Sequence, residues 1–451
     1  MMQLQQQVQQ AGVVGCGGAG FPTHVKLAAQ GVDTLVINGA ECEPLLRTDR
    51  YLMREHAAAI IAATAAAKEQ LGAAQACIAL KESYHAEIAA LQQAIDALAA
   101  PVELFLLKSF YPAGDEQVQV YEVTGRVVPP GGIPLDVGCV VSNVATMFAV
   151  HHAMHGRPFT QKYLTITGAV ASPCVIKAPL GTSFADCLAL AGGALVDDFM
   201  VVSGGPMMGK AMTKEQAMQT HVSKTTSGFL VLPPRTRLWQ IAQLSTTHIR
   251  NRARAACIQC SFCTQLCPRW LLGHPIEPHK IMRRTAGGQA IEALLDDPVV
   301  RAAQYCCECG VCELYACPME LNPRRINALI KQACQQQGLR AEKGETNLQA
   351  REYRADRRIP TQKAAMRAGV GKWYNTEPTL FVQAQPTEVY IALNAHIGAP
   401  AQSIVQVGQQ VTLGQCIAMT PTDKLGVDYH ASIAGEVIHV GETVIIRKVG
   451  N

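Results

Sequence analysis

The sequence predicts a multidomain chain of mixed α/β and α+β class, and three observations carry that expectation. Its 451 residues exceed what a single hydrophobic core organises. Short apolar runs alternate with helical stretches over the first third, then give way at the far end to closely spaced valines and isoleucines between glycine turns. Between these regions lies a segment in which cysteines recur at every third position.

In chain order, residues 12–20 (Gly-Val-Val-Gly-Cys-Gly-Gly-Ala-Gly) are too rich in glycine for a regular element, and Phe21-Pro22 after them opens a helix. Thr34–Ile37 reads as a strand, Tyr51–Leu71 as one alanine-rich helix closed by Gly72, and Ala76–Leu80 as a second strand. Ser83–Leu98 reads as a further helix returning to a strand at Val102–Leu107. Such alternation implies a parallel sheet. Gly125–Gly138, with its prolines and glycines among apolar residues, marks an ordered but irregular connection.

From Tyr163 onward, the apolar runs Leu164–Thr167, Val175–Lys177 and Met200–Ser203 surround a small helix at Ser183–Ala191, the pattern of a compact α+β module. Pro323–Gln337 reads as a helix with proline at its start. Gly338–Pro378 is polar and basic with little apolar periodicity, which suggests a tether or docking surface. Pro386–Val449 has no helical period and reads as a small all-β domain.

The strongest chemical signal is Cys257-x2-Cys260-x2-Cys263-x3-Cys267-Pro268, followed by Cys306-x2-Cys309-x2-Cys312-x4-Cys317-Pro318. Each run matches the two-cluster bacterial ferredoxin spacing, the second with one extra residue. Three closely spaced thiolates wrap one face of a [4Fe-4S] cubane. The proline turns the backbone away and sends the fourth cysteine to the other cluster. One cluster is therefore expected on Cys257, Cys260, Cys263 and Cys317, and the other on Cys306, Cys309, Cys312 and Cys267. Zinc also accepts four thiolates, but its sites show separated C-x2-C pairs rather than two runs of four ending in Cys-Pro. Cys307 lacks the ligand spacing and reads as a buried spectator, and the other cysteines as small hydrophobes.

A second signal combines Gly17-Gly18-Ala19-Gly20-Phe21-Pro22-Thr23-His24-Val25-Lys26, Asn38-Gly39-Ala40-Glu41-Cys42-Glu43-Pro44 and Tyr111-Pro112-Ala113-Gly114-Asp115-Glu116. Either glycine or carboxylate run alone would be an ordinary turn. Two of the three follow strand ends, so their polar groups converge at the carboxyl edge of one sheet. Together these runs resemble the FMN- and NADH-binding subunit of respiratory complex I. With Gly205-Pro206-Met207-Met208-Gly209 and the cysteine runs, they resemble more closely the RnfC-type electron-input subunits of ion-translocating oxidoreductases. His396-Ile397-Gly398-Ala399-Pro400 comes last here rather than first, an order similar to that of the cobalamin reductases of propanediol-utilisation microcompartments.

That resemblance implies a Rossmann-like FMN/NADH-binding α/β domain (1–158) and an SLBB β-grasp module (159–234). A helical two-[4Fe-4S] ferredoxin-like domain (235–340), a basic linker (341–380) and an all-β barrel-sandwich domain (381–451) follow. It also implies that Gly17, Gly18 and Gly20 let the backbone approach FMN. Lys26 would contact the flavin or its phosphate, Asn38, Glu41 and Asn143 would complete the cradle, and Glu43, Tyr111, Asp115 and Glu116 would border flavin and nicotinamide. Two positions depart from the complex I pattern, Cys16 standing for an arginine and Ala40 for an aspartate. The implied activity is NADH-dependent reduction of cob(III)alamin and cob(II)alamin towards cob(I)alamin, in 1,2-propanediol degradation. A corrinoid adenosyltransferase and a microcompartment shell protein are the implied partners. Delivery of electrons to ferredoxin or a membrane complex, and an electron-carrying scaffold without a substrate site, are the alternatives.

Net charge is only +4 and basic residues are dispersed apart from 235–254 and 340–372, which argues against a nucleic-acid surface. The start of the chain lacks the pattern of a signal peptide, and no window offers an uninterrupted apolar span. Seventeen cysteines in such a chain call for reduced thiols and metal ligation, hence a cytoplasmic setting, to which the resemblance adds a bacterial microcompartment.

Overall fold

The computed structural model describes residues 3–378 and 380–449. Four parallel strands form the first sheet, in the order Glu103–Leu107, Gln75–Lys81, Thr34–Asn38, Cys139–Asn143. The two central strands are almost wholly buried, as expected for a sheet covered by helices on both faces. Helices Ala57–Leu71, His85–Leu98 and Val144–Met154 pack through Ile60, Ile61, Leu91 and Met147. The helix expected over 51–71 is instead two helices, Thr48–Glu55 and Ala57–Leu71. His56 leaves helical geometry between them (φ −130°, ψ 27°), and its ring packs on Phe148, 4.6 Å between centroids. Gly72 closes the second in the left-handed region, at φ 62°.

The second sheet has six strands: Leu380–Gln383, Cys174–Pro179, Gln161–Gly168, Gly228–Leu232, Met200–Ser203 and Lys210–Thr213. Ser183 caps the helix Phe184–Leu190, its hydroxyl accepting from Asp186 N at 3.0 Å. The edge strand Leu380–Gln383 comes from far along the chain and pairs in parallel with Cys174–Pro179. The β-grasp unit therefore recruits residues that the sequence reading assigns to the linker and the last domain.

The segment 341–378 is not a tether. Ile359–Pro360 pairs with Phe110–Tyr111, and the helix Thr361–Arg367 buries Ala364 and Ala365 beside Val311 and Leu314. Its basic residues are structural as well: Arg354 and Arg358 bind Glu122 at 2.6 and 2.7 Å, and Arg351 lies 3.8 Å over the Trp270 ring. Small apolar side chains and paired arginines leave no strong period, so the burial is invisible in sequence.

The cysteine region is helical, with Pro278–Thr285 and Pro323–Gln336 packed around Ile281, Ile326 and Ile330. The last domain folds as two small antiparallel sheets, of four and three strands, packed around Val389, Ile417, Val437 and Ile446. None of the described helices is long and apolar enough to cross a membrane.

Candidate functional site

The site lies at the carboxyl edge of the first sheet. Thr34–Asn38 and Cys139–Asn143 are adjacent and in register, with Asn38 opposite Asn143. Thr34–Asn38 has the next strand in sequence on its other side, so connections leave this pair in opposite directions and open a crevice. The glycine-rich loop folds over that crevice: Gly15 N donates to Phe21 O at 2.8 Å, and a Cβ on Gly17 would stand 3.6 Å from that of Asn143.

A cavity of about 270 Å³ results. Its lining includes Gly17, Asn38, Glu41 and Asn143 together with Glu43, Tyr111, Asp115 and Glu116. Asn38 Nδ2 donates to Gly114 O (2.9 Å), and its Oδ1 accepts from Ala40 N (3.0 Å) and Gln119 Nε2 (2.9 Å). Asn143 caps the helix behind it, accepting from Ala145 N at 2.8 Å, and donates to Asp49 Oδ2 at 2.7 Å. Lys26 stands behind this wall, donating to Glu116 Oε1 (3.1 Å) and Val141 O (2.8 Å). Gly18, at φ 112°, faces open space. Gly20 abuts both the β-grasp unit and the last domain: a Cβ there would lie 2.8 Å from Thr225 Cγ2 and 3.2 Å from His396 Cα, and its carbonyl accepts from Ile397 N at 2.9 Å.

The carboxyl groups differ sharply in surroundings. Glu41 is buried with a left-handed backbone (φ 34°), and its oxygens accept from Asp49 N (2.9 Å) and Arg50 N (3.2 Å), satisfying the open start of the helix Thr48–Glu55. Burial, with the Asp49 carboxylate adding to it, pushes Glu41 up to about 7. Burial raises Glu43 to about 7 as well, although Met207 N donates to its Oε2 at 2.9 Å. Asp115 caps the helix Glu116–Thr124 and binds Arg269 through two parallel bonds of 2.5 and 2.9 Å, both side chains about one-tenth exposed.

Arg269 is two residues past Cys267, so that pair ties the cysteine region to the sheet edge. Tyr111 adds a second tie, its hydroxyl donating to Cys309 O at 2.6 Å. Cys309 itself lines the 270 Å³ cavity, and on its other side it lines a cavity shared with Cys267, Cys306 and Cys312. A separate cavity is lined by Cys257, Cys260, Cys263 and Cys317. The fourth cysteine of each run thus faces the first three of the other, the crossed arrangement expected from spacing.

Both loops use the same backbone device. Gln259 and Ser261 in the first, and Glu308 and Gly310 in the second, have positive φ (54°, 61°, 56° and 77°), curling the chain around the cavity. Glu308 N then donates to Cys306 Sγ at 3.3 Å, and Leu321 N to Cys317 Sγ at 3.4 Å. The extra residue of the second run is absorbed by a π-helical turn over Val311–Ala316, whereas the first run has an α-helical turn at Phe262–Gln265. Among the described residues, no three His, Cys, Asp or Glu side chains form a single-ion site; the thiols ring two cavities. This donor set fits thiolate-bound clusters, and the glycine-edged crevice beside it, mostly apolar with amide and carboxyl groups at fixed points, fits a flavin.

Comparison with known proteins agrees. The Nuo51 FMN-binding domain family matches residues 8–152, the SLBB domain 163–211, the 4Fe-4S dicluster domain 256–322 and the RnfC barrel sandwich hybrid domain 369–450. The cobalamin reductase PduS of Salmonella typhimurium is 41% identical over 98% of this chain and 96% of its own length. The chain belongs to the PduS cobalamin reductase family. The Citrobacter freundii PduS is likewise 41% identical, over 98% of this chain and 95% of its own. A component of the proton-translocating ferredoxin:NAD(+) oxidoreductase complex of Clostridium ljungdahlii is 34% identical over 58% of this chain and 55% of its own. This PduS-family chain is an oxidoreductase whose cofactors are FMN and [4Fe-4S] clusters.

Sequence reasoning missed Arg269, Asp49 and the double role of Cys309. Arg269 carried a weak signal in its place after Cys-Pro, but its partner Asp115 is 154 residues away. Cys307, read as a buried spectator, is half-buried and lines the second cysteine cavity.

Proposed function

We propose that this chain takes electrons from NADH and delivers them singly to cob(III)alamin and cob(II)alamin, yielding cob(I)alamin for a corrinoid adenosyltransferase. Association with a microcompartment shell protein belongs to the same reading. The observation that carries it is Cys309, one residue forming a wall of both the flavin crevice and the second cysteine cavity. Bound in the crevice, FMN supplies the change from a two-electron donor to a one-electron output that cobalt requires.

The chain's own residues prepare that chemistry. Gly17, Asn38, Glu41 and Asn143 form the cradle, with Lys26 fixing Glu116 from behind and Gly18 and Gly20 shaping the loop. Glu43, Tyr111 and Asp115 form the rim towards the clusters. Near-neutral Glu41 and Glu43 lower the negative charge that an anionic flavin phosphate and dinucleotide would meet. Tyr111 and the Asp115–Arg269 pair hold the two cavities in fixed relation. Cys306, Cys309, Cys312 and Cys267 would hold the cluster nearer the flavin, and Cys257, Cys260, Cys263 and Cys317 the farther one.

The test is anaerobic reconstitution with FMN and iron, then NADH titration followed by flavin absorbance and EPR, then addition of cobalamin or ferredoxin. Reduced clusters and cobalamin reduction are expected. Activity with ferredoxin but not cobalamin would transfer the acceptor role to ferredoxin. Clusters that stay oxidised in FMN-loaded protein would refute the route.

A further inference from the structure

A cavity of about 340 Å³ meets the flavin crevice at Cys16, which lines both. Three units of the fold build it. The helix Val144–Met154 supplies Phe148 and His152, the strands Gln161–Gly168 and Cys174–Pro179 of the β-grasp unit supply Lys162, Tyr163 and Lys177, and the last domain supplies Leu413. Leu413 is 63% exposed, so the cavity opens to solvent on that side.

The lining combines aromatic rings with unanswered positive charge. Phe148 stands nearly at right angles to His152 and to Tyr163, at 4.6 and 5.5 Å between centroids. Burial, with the Arg157 charge adding to it, holds His152 down at about 4, so its ring is neutral. The charged lining is Arg157, Lys162 and Lys177, and no Asp or Glu among the described residues lines the cavity with them. Lys162 is 4% exposed, and its Nζ has one acceptor among the described residues, Cys16 O at 3.1 Å. Neither Arg157 nor Lys177 forms an ion pair among the described residues. A buried ammonium held by a single carbonyl is costly until an anion reaches it, and rings set in this way take a flat base.

We propose that this cavity seats a base, a ribose and a phosphate, and that its occupant is the nucleotide tail of the corrinoid acceptor. The inference rests on cobalamin being that acceptor. Cobalamin carries one aromatic base and one phosphodiester anion on a flexible tail, which match the rings and the three cations. The volume is at the small end of the range for ligand sites, roughly 300–1,000 Å³, with room for the tail and not for the corrin macrocycle, which lies at the mouth beside Leu413. A base held among Phe148, His152 and Tyr163 cannot also bind cobalt. The axial Co–N bond breaks, the nitrogen keeps its lone pair, and no electron moves in that step. Cobalt without this donor accepts an electron more readily, so seating the tail prepares the metal for reduction. The acceptor then stands against the wall that Cys16 shares with the flavin crevice, and an electron, unlike a ligand, needs no opening to cross it.

The test uses oxidised FMN- and cluster-loaded protein without NADH, in which added cob(II)alamin is the paramagnetic species. The nitrogen splitting of its cobalt EPR lines reports the axial base, and wild type is expected to abolish it. In the double variant Arg157→Gln/Lys177→Gln, at an exposed and a half-buried position, the splitting persists at the same concentration and affinity falls by about tenfold or more. Cobinamide, which lacks base, ribose and phosphate, should bind wild type about tenfold more weakly than cobalamin and be indifferent to the variant. If NADH-reduced wild type reduces cobalamin yet the splitting persists, or if the double variant and cobinamide match wild type and cobalamin in affinity, the subsite is refuted and the acceptor reading stands. AMP binding that the double variant loses, with cobalamin binding unchanged, gives the cavity to a free nucleotide and overturns the corrinoid assignment. If cobalamin is neither bound nor reduced, both readings fall.

Discussion

Replacing Arg269 by methionine tests the joint between the two redox cavities. The Asp115–Arg269 pair is doubly hydrogen-bonded and about nine-tenths buried on both sides, so solvent screens it little. Removing one partner of a buried pair typically costs about 3–5 kcal/mol, because the other charge is left without compensation. Here Asp115 keeps two backbone donors, Gln117 N and Val118 N, each at 3.1 Å, which places the loss near the lower end, about 3 kcal/mol. For a domain of this size that is roughly 6–12 °C in the melting temperature. The assay is anaerobic thermal unfolding of the loaded protein by flavin fluorescence, with Asp115→Asn and the double variant completing a cycle. The double variant should be more stable than the sum of the single losses implies, since an amide beside methionine leaves no buried charge. A loss below about 1 kcal/mol for Arg269→Met, or strict additivity, would refute the claim that this pair is the joint.

Cys267→Ser should perturb the cluster held by the Cys306 run and spare the one held by the Cys257 run, with Cys317→Ser doing the reverse; EPR of the two variants checks the crossed ligand sets. Tyr111→Phe strips the Cys309 carbonyl of its 2.6 Å donor, so about 1 kcal/mol of stability and a slower flavin-to-cluster step in stopped-flow absorbance are expected. Glu43 is held protonated up to about 7 in the fold, against an ordinary value of 4.5, so the native state binds more protons and its contribution falls as pH rises across that window. In the flavin-free protein, Glu43→Gln should therefore match wild type near pH 4.5 and exceed it in melting temperature at pH 8.

Burial patterns explain how far the sequence reached. The parallel sheet was legible because Val36, Ile37 and Ile78 sit in short runs closed by turns, a local property of the chain. The basic stretch 341–378 misled because Arg354 and Arg358 are charged residues consumed by one carboxylate, Glu122, more than 200 positions away. The strand Leu380–Gln383 is short and flanked by polar residues, so nothing local assigns it to the second sheet rather than the last one. His56, an ordinary helix residue by propensity, breaks its helix and packs its ring against Phe148.

The two cysteine runs were legible in the sequence alone, because spacing within a dozen residues dictates which three thiols of each run can line one cavity. Folding decided what stands next to what: that Cys309 lines the crevice at the sheet edge, that Arg269 finds Asp115, and that Lys81 is buried beside Arg47 and Arg50. Those relations join segments far apart along the chain, and they depend on which surfaces are driven together by burial rather than on any period in the chain.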